Sequence, residues 1–288
     1  MIFDWYFEPS SVGECVQLLN EYGPEARLLA GGTDLVVRMR NRQVKVKAVI
    51  SLNNLKELTR INKVDDGLSI GAMVRLMDVA KSEALTGPWG VVRKGAGHVS
   101  SMQVRNVGTI GGNTCNASPS ADTVPGLMVL DATAEIAGPK GSRSLPLEKF
   151  FLAPGKTALE RGEMLTGFKL PNFDRGNGCA YKKYSIRGDT DIAIIGVGAR
   201  LKIGAKGVVD EARLVLGAVA PTPLRLPEVE KMLTGQVFSD DLKDKVAAAA
   251  AEACQPITDA RATREYRKEM VRVWTRHILK EAYNQAVA

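Results

Sequence analysis

The sequence predicts an α+β protein built from two domains. In the N-terminal part, short strand-like and helix-like segments alternate without a regular βα repeat. A stretch rich in Gly and Asn, residues 172–178, interrupts this pattern. Beyond it, three β-like segments precede two long helical ones. We therefore expect one domain over residues 1–175, with subdomains of about 1–55 and 56–175, and a C-terminal α+β domain over 178–288.

Periodicity and capping signals place the elements of the first domain. A helix is expected after Ser10 or Ser11, because Glu14 follows Ser11 by three residues, as in a capping box. The apolar patterns predict strands over 3–7, 26–30, 44–52, 68–71, 132–137 and 164–170. They predict helical segments over 34–42, 77–85, 91–99 and 124–130, a short amphipathic segment over 55–61 and a connection over 144–151.

The C-terminal part reads as a smaller domain of three strands and two helices. The strand candidates are residues 180–185, 192–203 and 212–219, with a turn at 204–207. Residues 240–253 and 264–287 have long helical patterns. A sheet covered by helices on one side is typical of small α+β domains.

Composition narrows the classes of function. The net charge is +7, but Lys and Arg are scattered, with short runs only at 38–42 and 261–268. No RNA-binding aromatic motif or zinc-finger spacing accompanies them, so nucleic acid is not an expected partner. The basic surface is either simply solvated or a docking face for a more acidic subunit.

The cysteines predict neither a metal site nor a disulfide, and the apolar stretches predict no membrane span. The four cysteines are dispersed, which excludes CxxC zinc spacing and a ferredoxin-type cluster pattern. We expect a cytoplasmic protein, because no disulfide is implied and residues 1–9 lack the features of a secretory signal. Apolar stretches fall short of a membrane span.

Two glycine-rich segments are the strongest functional signal. They are residues 28–35 and 109–113. Glycine lets backbone amides approach an anion closely, and Thr33, Thr109 and Asn113 add side-chain donors. Two such segments that face each other can hold a pyrophosphate from both sides. A Gly-Gly pair is also common in plain turns, so this pattern by itself leaves both readings open.

The standard nucleotide and hydrolase signatures are missing. Ser100 and Leu201 stand where two partial Rossmann fingerprints need their third glycine, and Phe150 stands where a P-loop needs its first. His98 and His277 are the only histidines, and no Ser or Cys nucleophile has an evident His partner. We therefore predict no catalytic side chain of the hydrolase kind.

Five stretches resemble one known family. They are QVRNVGTIGGN (103–113), ASPSAD (117–122), APGKT (153–157), GEML (162–165) and GAVAPTP (217–223). With the segment at 28–35, they make the chain similar to the FAD-binding medium subunit of molybdenum hydroxylases, of the xanthine dehydrogenase and aerobic carbon monoxide dehydrogenase type. The resemblance spans most of the chain. It implies a vanillyl-alcohol-oxidase/PCMH-type FAD-binding domain of two subdomains, followed by a carbon monoxide dehydrogenase flavoprotein C-terminal-like domain.

The resemblance also implies roles for particular residues. The two glycine segments would wrap the FAD pyrophosphate, and Asp122 would accept a hydrogen bond from a cofactor hydroxyl. Asp122 also suits the N-cap of the helix at 124–130, and Lys183 is otherwise an ordinary surface lysine. The expected FAD-binding residues are Leu28, Leu29, Ala30, Gly31, Gly32, Thr33, Asp34, Leu35, Val99, Thr109, Ile110, Gly111, Gly112, Asn113, Asp122, Leu165, Lys183 and Ile192.

Within that set, three further roles are implied. Val99 and Leu165 would pack near the adenine or the flavin ring, unless they are only core residues. Lys183 would stabilise negative charge on the flavin. Ile192 would replace a Tyr that some relatives place beside the ring. Outside that set, Cys115 comes just after the second glycine segment, where it either lies close to the cofactor or serves as a small residue in packing.

The function implied is that of an electron-transfer subunit of an oxidoreductase. A small 2Fe-2S subunit would supply electrons that originate at a large molybdenum-cofactor subunit, and this chain would pass them to NAD or a quinone. Molybdenum and iron–sulfur clusters would bind only in the partners, and the assembly would be a dimer of heterotrimers. Two other functions stay open: a stand-alone FAD oxidase or dehydrogenase, and a non-catalytic assembly module.

Overall fold

The N-terminal unit is a small parallel sheet with helices on its connections. The computed structural model describes residues 3–188 and 190–288. Within them the first elements are β1 (Trp5–Phe7), α1 (Val12–Tyr22), β2 (Ala26–Leu29), α2 (Leu35–Arg40) and β3 (Ala48–Ser51). The strands lie in the order β1-β3-β2, and both outer strands run parallel to β3. Because parallel strands need crossovers, each pair is connected through a helix.

The predicted N-cap of α1 at Ser11 is confirmed, but the Glu14 side chain bonds to the amide of Ser10 instead of that of Ser11. The Ser11 hydroxyl accepts a hydrogen bond from the Glu14 amide at 3.2 Å. The Glu14 carboxylate accepts from the amide of Ser10 at 2.7 Å, one residue before the position of an ordinary capping box. Both bonds satisfy amides that the first turn of a helix leaves without a partner.

The second unit is a five-stranded antiparallel sheet with a helical layer. Its strands lie in the order β4-β5-β10-β6-β7, and β8 and β9 form a separate two-stranded pair. The strands are β4 (Ile61–Val64), β5 (Gly67–Gly71), β6 (Thr133–Gly138), β7 (Gly141–Pro146), β8 (Phe151–Ala153), β9 (Lys156–Thr157) and β10 (Met164–Pro171). The helices are α3 (Leu76–Lys81), α4 (Gly90–Gly97), α5 (Met102–Val107), α6 (Ile110–Cys115) and α7 (Thr123–Val129).

The C-terminal unit packs long helices on an antiparallel sheet. Its strands, in the order β11-β12-β13-β14, are β11 (Asn177–Tyr184), β12 (Ile195–Ile203), β13 (Val209–Gly217) and β14 (Leu224–Arg225). Its helices are α8 (Pro227–Leu233), α9 (Asp240–Ala253) and α10 (Arg264–Val287). Apolar residues of α9 and α10 share one buried cluster with β12 and β13.

Helix α7 joins the second unit to the third. Every one of its residues is buried, and it packs against α4 and against strands β11, β12 and β13. Just beyond its end, Asp131 forms ion pairs with Arg200 at 2.7 Å and with Arg213 at 2.8 Å. Arg200 also donates to the Val129 carbonyl at 2.9 Å. Because apolar packing and these bonds coincide, the two units are held in one arrangement.

The structure corrects several local predictions. Part of the predicted connection at 144–151 is strand β7, whose polar residues pair with β6 at the edge of the sheet. Strand β4 also forms where the sequence predicted no strand. The described part of the C-terminal domain has four strands and three helices rather than three and two, because β14 and α8 are short. The second glycine segment is helical rather than an open loop.

Candidate functional site

One cleft collects side chains from all three units. Its volume is about 840 Å³, within the range of cofactor sites in proteins. Its lining residues fall in three parts of the chain. Those of the first unit lie between Arg27 and Val44, those of the second between Leu76 and Gly155, and those of the third between Lys183 and Ile192. The site therefore depends on the packing of all three units.

The first glycine segment offers free backbone amides to the cleft. Gly31, Gly32, Thr33 and Asp34 all line it. Within residues 3–188 and 190–288, the amides of residues 31–34 donate no hydrogen bond. Donors left without a protein partner at a cavity wall are suited to anionic oxygens. Helix α2 follows directly, so the positive end of its dipole adds to the attraction.

The glycine at position 31 also allows the first glycine segment to contact the chain just before the second, at Val107. A Cβ atom built on Gly31 would lie 2.1 Å from the carbonyl oxygen of Val107, which no side chain tolerates. Gly32 adopts φ +71°, a left-handed conformation that favours glycine. Both glycines are therefore needed to form this wall, whether or not a ligand is bound.

Most backbone amides of the second glycine segment donate hydrogen bonds to other groups of the protein. Thr109 caps helix α6, since its hydroxyl accepts from the Gly112 amide at 3.0 Å. The Ile110 amide donates to Val74, and the Gly111 amide donates to Ala72. A Cβ on Gly111 would lie 2.6 Å from Ala72. The glycines here bring α6 against the turn after β5, and few of the amides remain for a ligand.

Polar side chains connect the two glycine segments. Asn116 donates to the Asp34 carboxylate at 3.3 Å, which ties the end of α6 to the start of α2. Asn113 accepts a hydrogen bond from the Thr123 hydroxyl at 2.6 Å. That bond uses the carbonyl of the Asn113 side chain and leaves its NH₂ group as a donor at the cleft wall.

A buried ion pair forms another part of the wall. Lys183 donates to Asp122 at 2.9 Å and to the His98 carbonyl at 2.9 Å. Tyr181 donates to the second carboxylate oxygen of Asp122 at 3.0 Å. The side chains of Lys183 and Asp122 are 3% and 7% exposed, so Lys183 is not a surface lysine. Asp122 occupies the N-cap position of α7, but its side chain makes no capping bond.

Burial changes the acidity of this group of residues. Desolvation raises the pKa of Asp122 above its ordinary value, although the charge of Lys183 and the hydrogen bonds from Lys183 and Tyr181 oppose that shift. The pKa of Tyr181 is raised well above its ordinary value by burial and by Asp122. Tyr181 is therefore a neutral donor. The charge of Lys183 is offset by the carboxylate beside it, which weakens the field that lysine alone would place on a ligand.

Burial disfavours ionisation of the Cys115 thiol. Cys115 follows the second glycine segment and lines the cleft, as expected from the sequence. Burial raises the pKa of its thiol to about 12. Because only a thiolate is a good nucleophile, Cys115 stays a small apolar contact.

A loop of the C-terminal unit forms the rim. The chain leaves β11 at Tyr184 and returns at Ile194, whose amide donates to the Tyr184 carbonyl at 2.8 Å. Asp191 and Ile192 line the cleft from this loop, and Arg187 is paired with Asp191 at 2.5 Å. Arg267 of α10 donates to the Ile194 carbonyl and to Asp259. The last helix thus anchors the rim.

The structure brings most of the sequence-predicted residues to this cleft. Leu28, Ala30, Gly31, Gly32, Thr33, Asp34, Leu35, Val99, Thr109, Gly112, Asn113, Asp122, Lys183 and Ile192 line it. Leu29, Ile110, Gly111 and Leu165 are not among its lining residues. Ile110 and Leu165 are buried in the core of the second unit, and Leu29 packs against the cluster around Met39.

Other lining residues were not singled out from the sequence. Ser118 and Ser120 lie in the 117–122 stretch, from which only Asp122 was assigned a role. Arg27 and Arg38 flank the first glycine segment, and their position beside it was the available signal. Ser100 lines the cleft with φ +48°. A left-handed serine cannot be recognised from residue type.

Within residues 3–188 and 190–288, no group of three or more His, Cys, Asp or Glu side chains could hold a metal ion. No described helix has the length and apolar character to cross a membrane. What the cleft offers is a wall of free amides, a buried carboxylate and apolar surface from Leu35, Val99 and Ile192. This combination fits an elongated ligand with anionic oxygens, hydroxyls and flat rings, as FAD has.

Comparison with known proteins agrees with this geometry. Residues 1–173 match the family described as the FAD binding domain in molybdopterin dehydrogenase. Residues 179–282 match the CO dehydrogenase flavoprotein C-terminal domain. The resemblance and the fold class expected from the sequence are thereby confirmed.

Individual relatives cover nearly the whole chain. The xanthine dehydrogenase FAD-binding subunit of Escherichia coli O157:H7 is 30% identical over 98% of this chain and 97% of its own length. The carbon monoxide dehydrogenase medium chain of Hydrogenophaga pseudoflava is 32% identical over 96% of each chain. Among solved structures, carbon monoxide dehydrogenase of Hydrogenophaga pseudoflava superposes with a TM-score of 0.94, at 32% identity and over 99% of this chain and 98% of that one.

Proposed function

Because the chain belongs to the family of FAD-binding subunits of molybdopterin dehydrogenases, we propose that it carries electrons inside a molybdenum hydroxylase complex. It is a flavoprotein and an oxidoreductase subunit. In the proposed role it takes electrons from a small 2Fe-2S subunit and delivers them to an external acceptor, NAD or a quinone. The observation that carries the proposal is the cleft lined by both glycine segments and by the Asp122–Lys183 pair.

In the proposed role, different residues of the cleft bind different parts of FAD. We assign the pyrophosphate to the free amides of residues 31–34 and the side-chain NH₂ of Asn113. Asp122 has oxygen lone pairs left to accept from a cofactor hydroxyl, since a carboxylate has about four acceptor positions. Val99 and Ile192 offer apolar contacts to a ring. Leu29, Ile110, Gly111 and Leu165 do not line the cleft, so we assign them to the packing of the surrounding units instead of to contact with FAD.

The chain's own groups bind and shield the cofactor and do not exchange electrons themselves. Bound FAD supplies the redox chemistry, since it accepts and releases electrons one or two at a time. The Asp122–Lys183 pair fixes one wall without presenting a net charge. The rim around Asp191 and Ile192, anchored by Arg267, forms one edge of the cleft.

The names of the relatives support the proposed partners. A "medium chain" of carbon monoxide dehydrogenase implies larger and smaller chains beside it. We propose a large molybdenum-cofactor subunit and a small 2Fe-2S subunit here as well, arranged as a dimer of heterotrimers. We further propose that the FAD-binding domain ends near residue 175 and the C-terminal domain begins near residue 178, between β10 and β11.

Spectroscopy of the purified chain tests the flavin assignment. We expect flavin absorbance bands near roughly 370 and 450 nm, a property of the cofactor, and release of FAD on acid precipitation. Co-expression with the two candidate partner subunits is expected to yield one complex in which the substrate reduces the flavin. A folded chain that refuses FAD contradicts the cofactor assignment. A yellow chain that oxidises a substrate without partners indicates a stand-alone oxidase instead.

A further inference from the structure

One turn of the cleft wall is held through its backbone carbonyls by cationic side chains. It comprises residues 98–100, between α4 and α5, and brings Val99 and Ser100 to the cleft. Arg105 donates through Nη1 to the carbonyl of Val99 at 3.1 Å and to that of Ser100 at 2.6 Å. Lys183 donates to the remaining carbonyl of the turn at 2.9 Å. All three carbonyls of this turn therefore have a cationic donor.

Ser100 has a backbone conformation that serine rarely adopts. Its φ is +48°, in the left-handed region, which costs energy for any residue with a Cβ atom. A helix often ends in a left-handed residue whose amide donates back to the last turn. The Ser100 amide makes no such bond: within residues 3–188 and 190–288, neither it nor the Ser100 hydroxyl donates to the protein. The ending of α4 therefore does not explain this conformation.

Helix α5 places Arg105 against this turn. Ser101 begins the helix, since its hydroxyl accepts from the Val104 amide at 3.4 Å, and Arg105 lies one turn later. The half-buried Arg105 side chain reaches back over the start of the helix to the two carbonyls. One guanidinium that bonds two successive carbonyls fixes the direction of both peptide groups. Because α5 ends at Val107, whose carbonyl touches Gly31, the same helix sets the turn and the first glycine segment.

We propose that Arg105 is a positioning residue for FAD: it holds the 98–100 turn so that the amide and the hydroxyl of Ser100 donate to an acceptor oxygen of the cofactor. The inference deepens the proposed function and rests on FAD occupying the cleft. Arg105 itself does not line the cleft, so it acts through Ser100 instead of by contact. Donors without a protein partner at a cavity wall suit acceptor oxygens, and a turn that is already fixed loses less conformational freedom on binding.

FAD titration of the full-length chain, after removal of bound flavin, tests this role. The dissociation constant of FAD and the melting temperature without FAD are measured for wild type, Ser100→Ala, Arg105→Met and the double variant. We expect Ser100→Ala to bind FAD about fivefold more weakly at an unchanged melting temperature, because it loses only a donor to the ligand. Arg105→Met is expected to weaken binding about tenfold and to lower the melting temperature, since two carbonyls lose their donor.

The double variant separates positioning from stability. If Arg105 acts through Ser100, the two losses of affinity overlap, and the double variant binds FAD about tenfold more weakly than wild type. Independent effects would multiply to about fiftyfold. Arg105→Lys keeps a cationic donor for the two carbonyls and should bring FAD binding to within about threefold of wild type.

Arg93→Met and Ser82→Ala are matched controls. Arg93 lies on the neighbouring helix α4 and donates to the Ala80 carbonyl at 3.4 Å. Ser82 is half-buried at the end of α3. Neither residue lines the cleft, so both variants should bind FAD within about twofold of wild type.

The outcomes distinguish this role from the function of the cleft. If the wild type binds FAD and Ser100→Ala and Arg105→Met bind it equally well, Arg105 is not a positioning residue and the proposed function stands. If the two losses multiply to about fiftyfold, Arg105 does not act through Ser100, which also overturns the proposal. If the wild type refuses FAD, the cofactor assignment fails and this proposal with it.

Discussion

At the scale of single residues, the contact between Gly31 and Val107 is the most constrained feature of the cleft. Gly31→Ala would place a methyl group about 2 Å from the Val107 carbonyl, so the first glycine segment and the chain at Val107 must separate. We expect a loss of about 2 kcal/mol in the free energy of unfolding, the usual cost of overpacking, and FAD binding at least about tenfold weaker. Urea unfolding and FAD titration measure the two effects.

A second glycine gives the opposite expectation. Gly13 lies in α1, and a Cβ there would meet only the Ser11 hydroxyl, at 3.9 Å. Gly13→Ala should therefore stabilise the chain by up to about 1 kcal/mol through helix propensity and leave FAD binding unchanged. Equal effects of the two substitutions would contradict the role given to the Gly31 contact.

The Asp122–Lys183 pair gives a second prediction at this scale. Asp122→Asn removes the negative charge next to a lysine whose side chain is 3% exposed. We expect the free energy of unfolding to fall by about 3 kcal/mol, since breaking a buried pair leaves a charge in a poorly solvated place. The double variant Asp122→Asn/Lys183→Met should recover part of the loss. If a double-mutant cycle in urea shows that the two changes in the free energy of unfolding simply add, the two side chains are not coupled.

The sequence indicated this residue-level site only in part. Gly31 and Gly32 could be found because a Gly-Gly pair after a strand is a local signal. The Tyr181–Asp122–Lys183 contacts could not, because they join residues about sixty positions apart and residue type does not reveal such pairing. Likewise, the sequence did not show that the amides of α6 would be consumed by Val74, Ala72 and Thr109.

At the scale of elements, α10 is predicted to control the rim of the cleft. Arg267→Met removes the bonds to the Ile194 carbonyl and to Asp259. The buried Ile194 then lacks that donor, whereas Asp259, which is 24% exposed, keeps its ion pair with Arg261. We expect a loss of about 3 kcal/mol in the free energy of unfolding and faster amide hydrogen exchange at residues 190–194 and 259–262. Arg272→Met on the exposed side of α10 is the control and should change neither. Unchanged exchange at the rim in Arg267→Met would show that α10 does not anchor it.

The link between β7 and the start of β10 predicts a dependence on pH. Two hydrogen bonds from Arg143, at 2.6 and 2.7 Å, lower the pKa of Glu163 below its usual value, and partial burial opposes them. A carboxyl whose folded-state pKa is lowered stabilises the fold above its unfolded pKa of about 4.3, and that contribution is lost as the pH falls through the folded value.

Glu163→Gln should therefore cost about 1 kcal/mol at about pH 7, a modest value because Arg143 is 36% exposed. The difference from wild type should shrink as the pH falls below about 4. Thermal unfolding across this pH range measures it. A difference independent of pH would mean that lost packing, rather than lost charge, is responsible.

Elements with strong periodicity were predicted well, and polar edge elements were not. Helices α9 and α10 form over the residues expected from their long helical patterns. Strand β7 has the sequence GSRSLP, and as an edge strand it needs neither apolar alternation nor β-branched residues. Helix α6, with the sequence IGGNTC, forms despite poor helix propensity because Thr109 caps it and tertiary contacts hold it.

At the scale of the whole molecule, the cleft draws on all three units, so FAD should stabilise them together. Free FAD at about 100 times its dissociation constant adds about 2.7 kcal/mol to the free energy of unfolding. We expect one unfolding transition that shifts to higher temperature as FAD is added, measured by calorimetry. FMN, which lacks the adenylate half, should shift it less. A transition in which only part of the protein responds to FAD would mean that the units unfold independently.

The anchoring of the rim by Arg267 also has a consequence for the order of events during protein synthesis. The wall at residues 31–34, to which we assign the pyrophosphate, leaves the ribosome early, but the loop at 190–194 also depends on a residue of α10 for its anchor. A nascent chain therefore exposes half of a cofactor site long before the site can close. We therefore expect stable capture of FAD to follow the synthesis of α10, as a late step in the maturation of this subunit.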